Sequence, residues 1–178
     1  MDGGSAVDAA VAVAATLAVV EPFMSGLGGG GGYMMIREAA TGKVWALDYM
    51  GAVPQAARAD VWTDQQQLYD DVRAASVPGL IGGWRAAHHR FGRLPWSSLF
   101  QFAIQTAERG WPVSHFAAAT LAAQEERLAR FPSTRRVLYP NGRAPRAGEL
   151  VPQPELARSL RAVAEGGPDA FYQGQLGE

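Results

Sequence analysis

Cysteine is missing from all 178 residues, which removes disulfide staples, thiolate metal sites and cysteine nucleophiles together. Lysine is nearly missing as well: fifteen arginines stand against the single Lys43. With a net charge of −1 and 19% charged residues, no basic stripe exists to hold a phosphate backbone, so nucleic-acid binding is not indicated. No apolar run reaches the roughly twenty residues that cross a bilayer; the longest stretch, 9–20, falls well short. Residues 1–5 carry an aspartate and no positive charge, unlike an export signal. Internal repeats and low-complexity linkers are also lacking. What the chain does have is 48% apolar residues, enough for one domain with a sizeable core.

The richest stretch is 3–33, GGSAVDAAVAVAATLAVVEPFMSGLGGGGGY. Ser5 and Asp8 stand three apart, the spacing at which a hydroxyl and a carboxylate cap a first helical turn reciprocally. The helix is therefore expected to start near Ala6. From Ala9 to Val20 its only polar side chain is Thr16, the pattern of a helix buried on all sides. Pro22 ends it by forcing Glu21 out of the helical region. Gly28 to Gly32 then allow a backbone or a ligand to come close. Gly26, Gly28 and Gly31 fit the letter of G-x-G-x-x-G, but a dinucleotide fingerprint follows a strand and opens a helix. Here the order is reversed, which favours close backbone packing over phosphate binding.

Further on, Tyr33 to Arg37 and Lys43 to Tyr49 are expected to pair as a hairpin across a turn at 39–42. A third strand is expected at 73–77, after a polar helix or loop at 63–71. Helical periodicity follows. One helix runs from Gly79 with Leu80, Gly83, Trp84 and Ala87 on a face. A second is capped near Ser97, with Leu99, Phe102 and Ala103 inward and Ile104 off that face. A third runs from Ser114 to about Arg130, and a fourth opens at Pro154 and ends near Gly166 and Gly167. Residues 132–154 read as a surface connection.

The ordered motifs GGSAVDAAVA, VVEP and SGLGGGGGY resemble the start of the gamma-glutamyltranspeptidase family. The likeness continues through ATGKVWALDY at 40–49, SVPGLIGGW at 76–84, FGRLPW at 91–96 and AERGWPVS at 107–114. It closes with YPNGRAPRAGEL, VPQPELARSL and GPDAFYQG. The resemblance implies an α+β chain, helix-rich here, that forms part of an αββα sandwich of the N-terminal nucleophile hydrolase type. It implies a precursor that cuts itself into a large and a small subunit, with a catalytic threonine opening the small one. No matching Thr-Thr-His segment occurs in this sequence. The chain is thus expected to be a single partial domain, residues 1–178, from the N-terminal portion of the large subunit and truncated at both ends. No catalytic residue is expected within it. Family members are often exported, which leaves the compartment open.

In the family, an arginine after the hairpin grips the α-carboxylate of the γ-glutamyl group, a task suited to its forked donors. The matching run is Asp48-Tyr49-Met50-Gly51-Ala52-Val53-Pro54. Met50 stands at the arginine's position and Gly51 at that of the following acid. A thioether cannot replace a charge-assisted pair, so the acyl group recognised there would lack that carboxylate. The competing readings are a shifted alignment, or a carboxylate held instead by Arg37 or Arg58.

Other groups carry less. His88 and His89 are adjacent on a helix and diverge by about 100°, so they do not converge on a metal. His115 is a first-turn residue, and Ser25 lacks the G-x-S-x-G frame of an exposed nucleophile. Asp70 with Asp71, and Glu125 with Glu126, are consecutive and do not face each other on a helix. The tryptophans Trp45, Trp62, Trp84, Trp96 and Trp111 are spread too evenly to stack nucleic-acid bases.

Three classes follow. The first is the large-subunit part of an enzyme that cleaves or transfers an amide-linked acyl group, γ-glutamyl in glutathione hydrolases and another acyl in acylase-like or amidohydrolase-like members. The second is a non-catalytic remnant, partner subunit or binding module, and the third a nucleotide-binding domain, disfavoured by element order. For the first, the implied partners are a small amide substrate and the chain's own small subunit, with no cofactor, metal, nucleic acid or membrane span.

Overall fold

The structure, a computed structural model, describes residues 3–61, 64–65, 67–174 and 176–177. Helix α1 covers Ala6–Val20. Its start is the expected reciprocal cap: the Asp8 N–H donates to Ser5 Oγ at 3.1 Å and the Ser5 N–H to Asp8 Oδ2 at 2.6 Å. Val7, Val11, Ala15, Ala18 and Val19 face the core. Contrary to the expectation of burial all round, Ala9, Ala10 and Val13 form an exposed strip along α1. Apolarity all round permits burial on every side, but nothing among the described residues covers this one.

The glycine run leads to β1, Tyr33–Arg37, and β2, Val44–Asp48. They pair antiparallel with Tyr33 opposite Asp48 and Arg37 opposite Val44. A one-turn helix α2, Gln67–Asp70, follows; Trp62, named above, and residues 63 and 66 of the expected polar stretch lie outside the described residues. The expected strand at 73–77 does not form. Residues Val72–Ala74 make a 3-10 turn instead, whose last bond takes the Ala75 N–H to the Val72 carbonyl, and only a lone bridge joins Ala52 to Val77.

Helix α3, Leu80–Phe91, buries Ile81, Gly83, Trp84 and Ala87. The next segment opens as a 3-10 turn, Trp96–Phe100, and passes into α4, Gln101–Arg109. The N-cap is Pro95 without a side-chain bond, not Ser97. Three residues per turn at the start shift the phase of all that follows. Phe102 consequently points outward at 67% exposure, while Ile104, at 4%, is in the core with Leu99, Phe100, Ala103 and Ala107.

Strand β3, Trp111–Pro112, comes next. Ser114 caps α5, His115–Ala123, through the Ala117 N–H at 3.0 Å. A break at Gln124 separates α5 from α6, Glu125–Leu128. The region expected to be a surface connection contains α7, Pro132–Leu138, and β4, Leu150–Val151, which pairs with β3. Tyr139 is buried there and donates to the Leu121 carbonyl at 2.9 Å. Helix α8, Pro154–Tyr172, breaks its regular geometry at Gly167, near the expected end, and then resumes.

Helices α1, α3, α4 and α8 pack around one core. Helix α1 packs on α3, α4 and the 3-10 turn before α4, and α8 packs across α3 and α4. Val11, Val19, Ile81, Trp84, Phe100, Leu121, Leu160 and Val163 build the shared core. The buried Gln153 ties α8 to α1 through the Val19 carbonyl at 2.8 Å. The hairpin lies on α3, with Trp45 6.2 Å from Phe91 and the Arg90 guanidinium over the Trp45 ring. Its other face, bearing Tyr33, Met35 and Val44, is open.

Candidate functional site

The run Asp48-Tyr49-Met50-Gly51 leaves the end of β2 and is gripped from both sides by backbone. Asp48 Oδ1 accepts the Met50 N–H at 3.0 Å, closing a local turn. The Tyr49 N–H donates to the Gly32 carbonyl at 2.9 Å. Gly31 has φ +127°, a backbone open to glycine, and any Cβ there would overlap the Tyr49 carbonyl oxygen. On the opposite side Gly79 presses on the same carbonyl, and a Cβ there would also overlap it. The Tyr49 ring lies against Gly83, where burial pushes its phenol pKa up. Gly51 is wedged between the carbonyls of Gly30 and Val77, with Ser76 Oγ beside it. The glycine at position 51 thus has a local cause: no side chain fits there.

The glycine run is accordingly a packing device, the reading favoured by element order: α1 precedes it and β1 follows. Met50 emerges from this collar with its side chain 54% exposed. The two arginines considered as substitutes are placed or engaged elsewhere. Arg37 pairs with Val44, at the end of the hairpin away from Tyr33 and Asp48, about 13 Å along the strand. Arg58 is engaged by Asp60, with Nε to Oδ1 at 3.0 Å and Nη2 to Oδ2 at 2.6 Å. Ser76 and Gly79 belong to this turn and were not singled out by sequence reasoning; their signal is the Ser-Val-Pro-Gly corner that precedes α3.

The remaining groups do not assemble a second centre. His88 Nε2 lies 2.9 Å from the Leu94 carbonyl and 3.6 Å from Asp8 Oδ1. A carbonyl can only accept, so Nε2 carries a proton in this bond, and the buried Nδ1 has no hydrogen-bond partner. His89 is exposed, and so is His115 in the first turn of α5. Ser25 donates its N–H to the Glu21 carbonyl at 2.8 Å, in the turn after α1. Asp70 receives Arg127 and Arg130 at 2.7 and 2.9 Å, whereas Asp71 turns to Arg73. Glu125 accepts the Ala144 N–H at 3.0 Å. Trp84, Trp96 and Trp111 are core residues. Among the described residues, no three His, Cys, Asp or Glu side chains group to hold a metal, and no helix is long and apolar enough to cross a membrane.

Helices packed on one face of an antiparallel hairpin, with the other face open, fit a helix-rich α+β part of the αββα sandwich of N-terminal nucleophile hydrolases. Within that class the chain belongs to the gamma-glutamyltranspeptidase family, whose pattern it matches over residues 1–178. It is 37% identical over 177 residues to glutathione hydrolase 3 of Arabidopsis thaliana, covering 99% of this chain and 28% of that protein. It is 35% identical over 187 residues to the acylase ACY 1 proenzyme of Pseudomonas sp. strain SE83, covering 98% of this chain and 33% of the relative. Against the crystal structure of Helicobacter pylori gamma-glutamyltranspeptidase the TM-score is 0.91 at 35% identity, covering 98% of this chain and 52% of that one. The chain therefore spans about half of that solved chain and roughly a third or less of these curated relatives.

Proposed function

We propose that this chain is the N-terminal portion of the large subunit of a self-cleaving precursor that extends beyond it on both sides. The assembled enzyme cleaves or transfers an amide-linked acyl group through a threonine at the start of the small subunit. In that chemistry the threonine hydroxyl attacks the acyl carbon while its own α-amine takes the proton. The substrate's amine leaves with that proton as its C–N bond breaks, and water or an acceptor amine then resolves the ester. The chain contributes the wall of the acyl pocket at Met50, and the acyl group it takes carries no carboxylate at that point. The observation that carries this reading is the posture of Met50: half exposed at the head of a rigid collar, with Arg37 a hairpin's length away and Arg58 already paired. The relative named as an acylase supports it.

A second reading, γ-glutamyl transfer, is favoured by the relatives named glutathione hydrolases. It requires a carboxylate ligand from outside this chain. One experiment separates the two. The full-length precursor is expressed, its cleavage into two subunits is checked, and kcat/KM is measured on a γ-glutamyl anilide and on an aliphatic acyl anilide without the α-carboxylate. The wild type is expected to prefer the second. Met50→Arg should shift the ratio toward the first by about 10- to 100-fold, the worth of one charge-assisted pair. A wild type that prefers the γ-glutamyl substrate selects the second reading.

A further inference from the structure

We infer that Tyr172 is a positioning residue for the Met50 turn, setting the shape of the acyl pocket from the far end of the chain; this rests on Met50 being part of that pocket. Helix α3 begins at Gly79, which has no side chain with which to cap it. The Gly82 N–H, in the first turn, is one of the donors a helix leaves without an internal partner, unless something outside supplies an acceptor. Tyr172 supplies it: its hydroxyl accepts the Gly82 N–H at 3.1 Å and donates to the Pro78 carbonyl at 2.7 Å. One hydroxyl therefore caps the helix and fixes the carbonyl of the peptide unit that leads into Gly79.

Gly79 is the residue whose backbone presses on the Tyr49 carbonyl and lies beside the Gly51 nitrogen. The path from the Tyr172 hydroxyl to the Met50 backbone is thus short and made of backbone atoms, with no flexible side chain to absorb a displacement. The phenol reaches this corner after α8 breaks at Gly167, where φ +62° and ψ −150° fall in a region kept for glycine. Phe171 packs edge-on to the Tyr172 ring at 5.0 Å, and both rings pack on the core, so the hydroxyl is held in place. Without it the Gly82 N–H and the Pro78 carbonyl lose their partner, the corner relaxes, and the turn it presses on relaxes with it.

The test uses the full-length, self-cleaved protein with methyl-labelled methionine. Tyr172→Phe is expected to raise KM for the amide substrate about three- to tenfold, the factor one hydrogen bond commands, with kcat within about twofold. The Met50 methyl resonance, assigned by its loss in Met50→Leu, should shift or broaden. Tyr139→Phe is the control, since it removes an equally ordered hydroxyl, bonded to the Leu121 carbonyl on α5. It should lower Tm while leaving KM and the Met50 resonance unchanged. A Tyr172→Phe protein with a lowered Tm but wild-type KM and resonance would show that Tyr172 is only a brace. A moved resonance with unchanged KM also overturns the inference, because the turn would then shift without consequence for substrate. If the wild type turns over no amide at all, the proposed function fails, and the resonance alone decides whether Tyr172 positions the Met50 turn.

Discussion

Asp8 shows how a single buried charge is made tolerable. It is 2% exposed, yet it receives the N–H groups of Ser5, Arg93 and Leu94 at 2.6, 3.0 and 3.3 Å. Burial alone raises its pKa, but the backbone donors and the Ser5 side chain outweigh burial and hold it below the ordinary value. A depressed folded pKa means that the stabilisation is complete above the unfolded value, near pH 4, and disappears as pH falls through the folded one. Asp8→Ala removes the acceptor of the Ser5 N–H, one half of the reciprocal cap, and strands the amides of Arg93 and Leu94. It is expected to cost about 3 kcal/mol, read as a lower denaturation midpoint in the full-length protein, with a smaller loss in Asp8→Asn. At the surface, Arg143 forks onto Glu149 at 2.7 and 3.0 Å. That pair, with the Arg146 N–H, holds the Glu149 carboxyl down to about 2. Carboxyl NMR should find Glu149 still ionised at about pH 3, where an ordinary glutamate is protonated. The Ser5 and Asp8 cap was legible because its partners are local in sequence. The bonds to Arg93 and Leu94 were not, because they cross more than eighty residues.

Among elements, the glycines around the Met50 turn divide into positions that matter and positions that do not. A Cβ on Gly28 meets nothing within 4 Å, while one on Gly79 would overlap the Tyr49 carbonyl. Gly79→Ala is therefore expected to destabilise by about 3 kcal/mol, as overpacking against backbone does, and Gly28→Ala to stay within about 0.5 kcal/mol of wild type. Thermal unfolding of the two variants side by side tests this; equal losses would contradict the collar. Sequence periodicity located α1, α3, the hairpin and the start of α8, each marked by a cap, a proline or a clear face. It misassigned the face of α4, because a 3-10 entry changes the rotation per residue without leaving a compositional mark. It missed β4 altogether, since two residues paired with a distant β3 carry no period of their own.

Across the whole molecule, the exposed apolar strip of α1 at Val13, the open hairpin face at Tyr33, Met35 and Val44, and the side chains of Met24 and Phe116 leave much nonpolar surface uncovered. Soluble monomers seldom tolerate large patches of this kind. The isolated chain is expected to hydrolyse no amide, to bind a hydrophobic dye strongly and to elute from size exclusion as associated species. A soluble monomer that binds no dye would argue against its being part of a larger folded unit.

The sequence by itself determined the family, the local starts and stops of the main helices and the hairpin. Each of these rests on residues that are neighbours or stand at fixed spacings. Only the tertiary structure decided what the glycines press against, why Gly51 admits no side chain, which face of α4 is buried and that Tyr172 caps α3. These depend on contacts between segments brought together by burial, and neither period nor composition along a chain records which distant backbone will arrive at a given glycine.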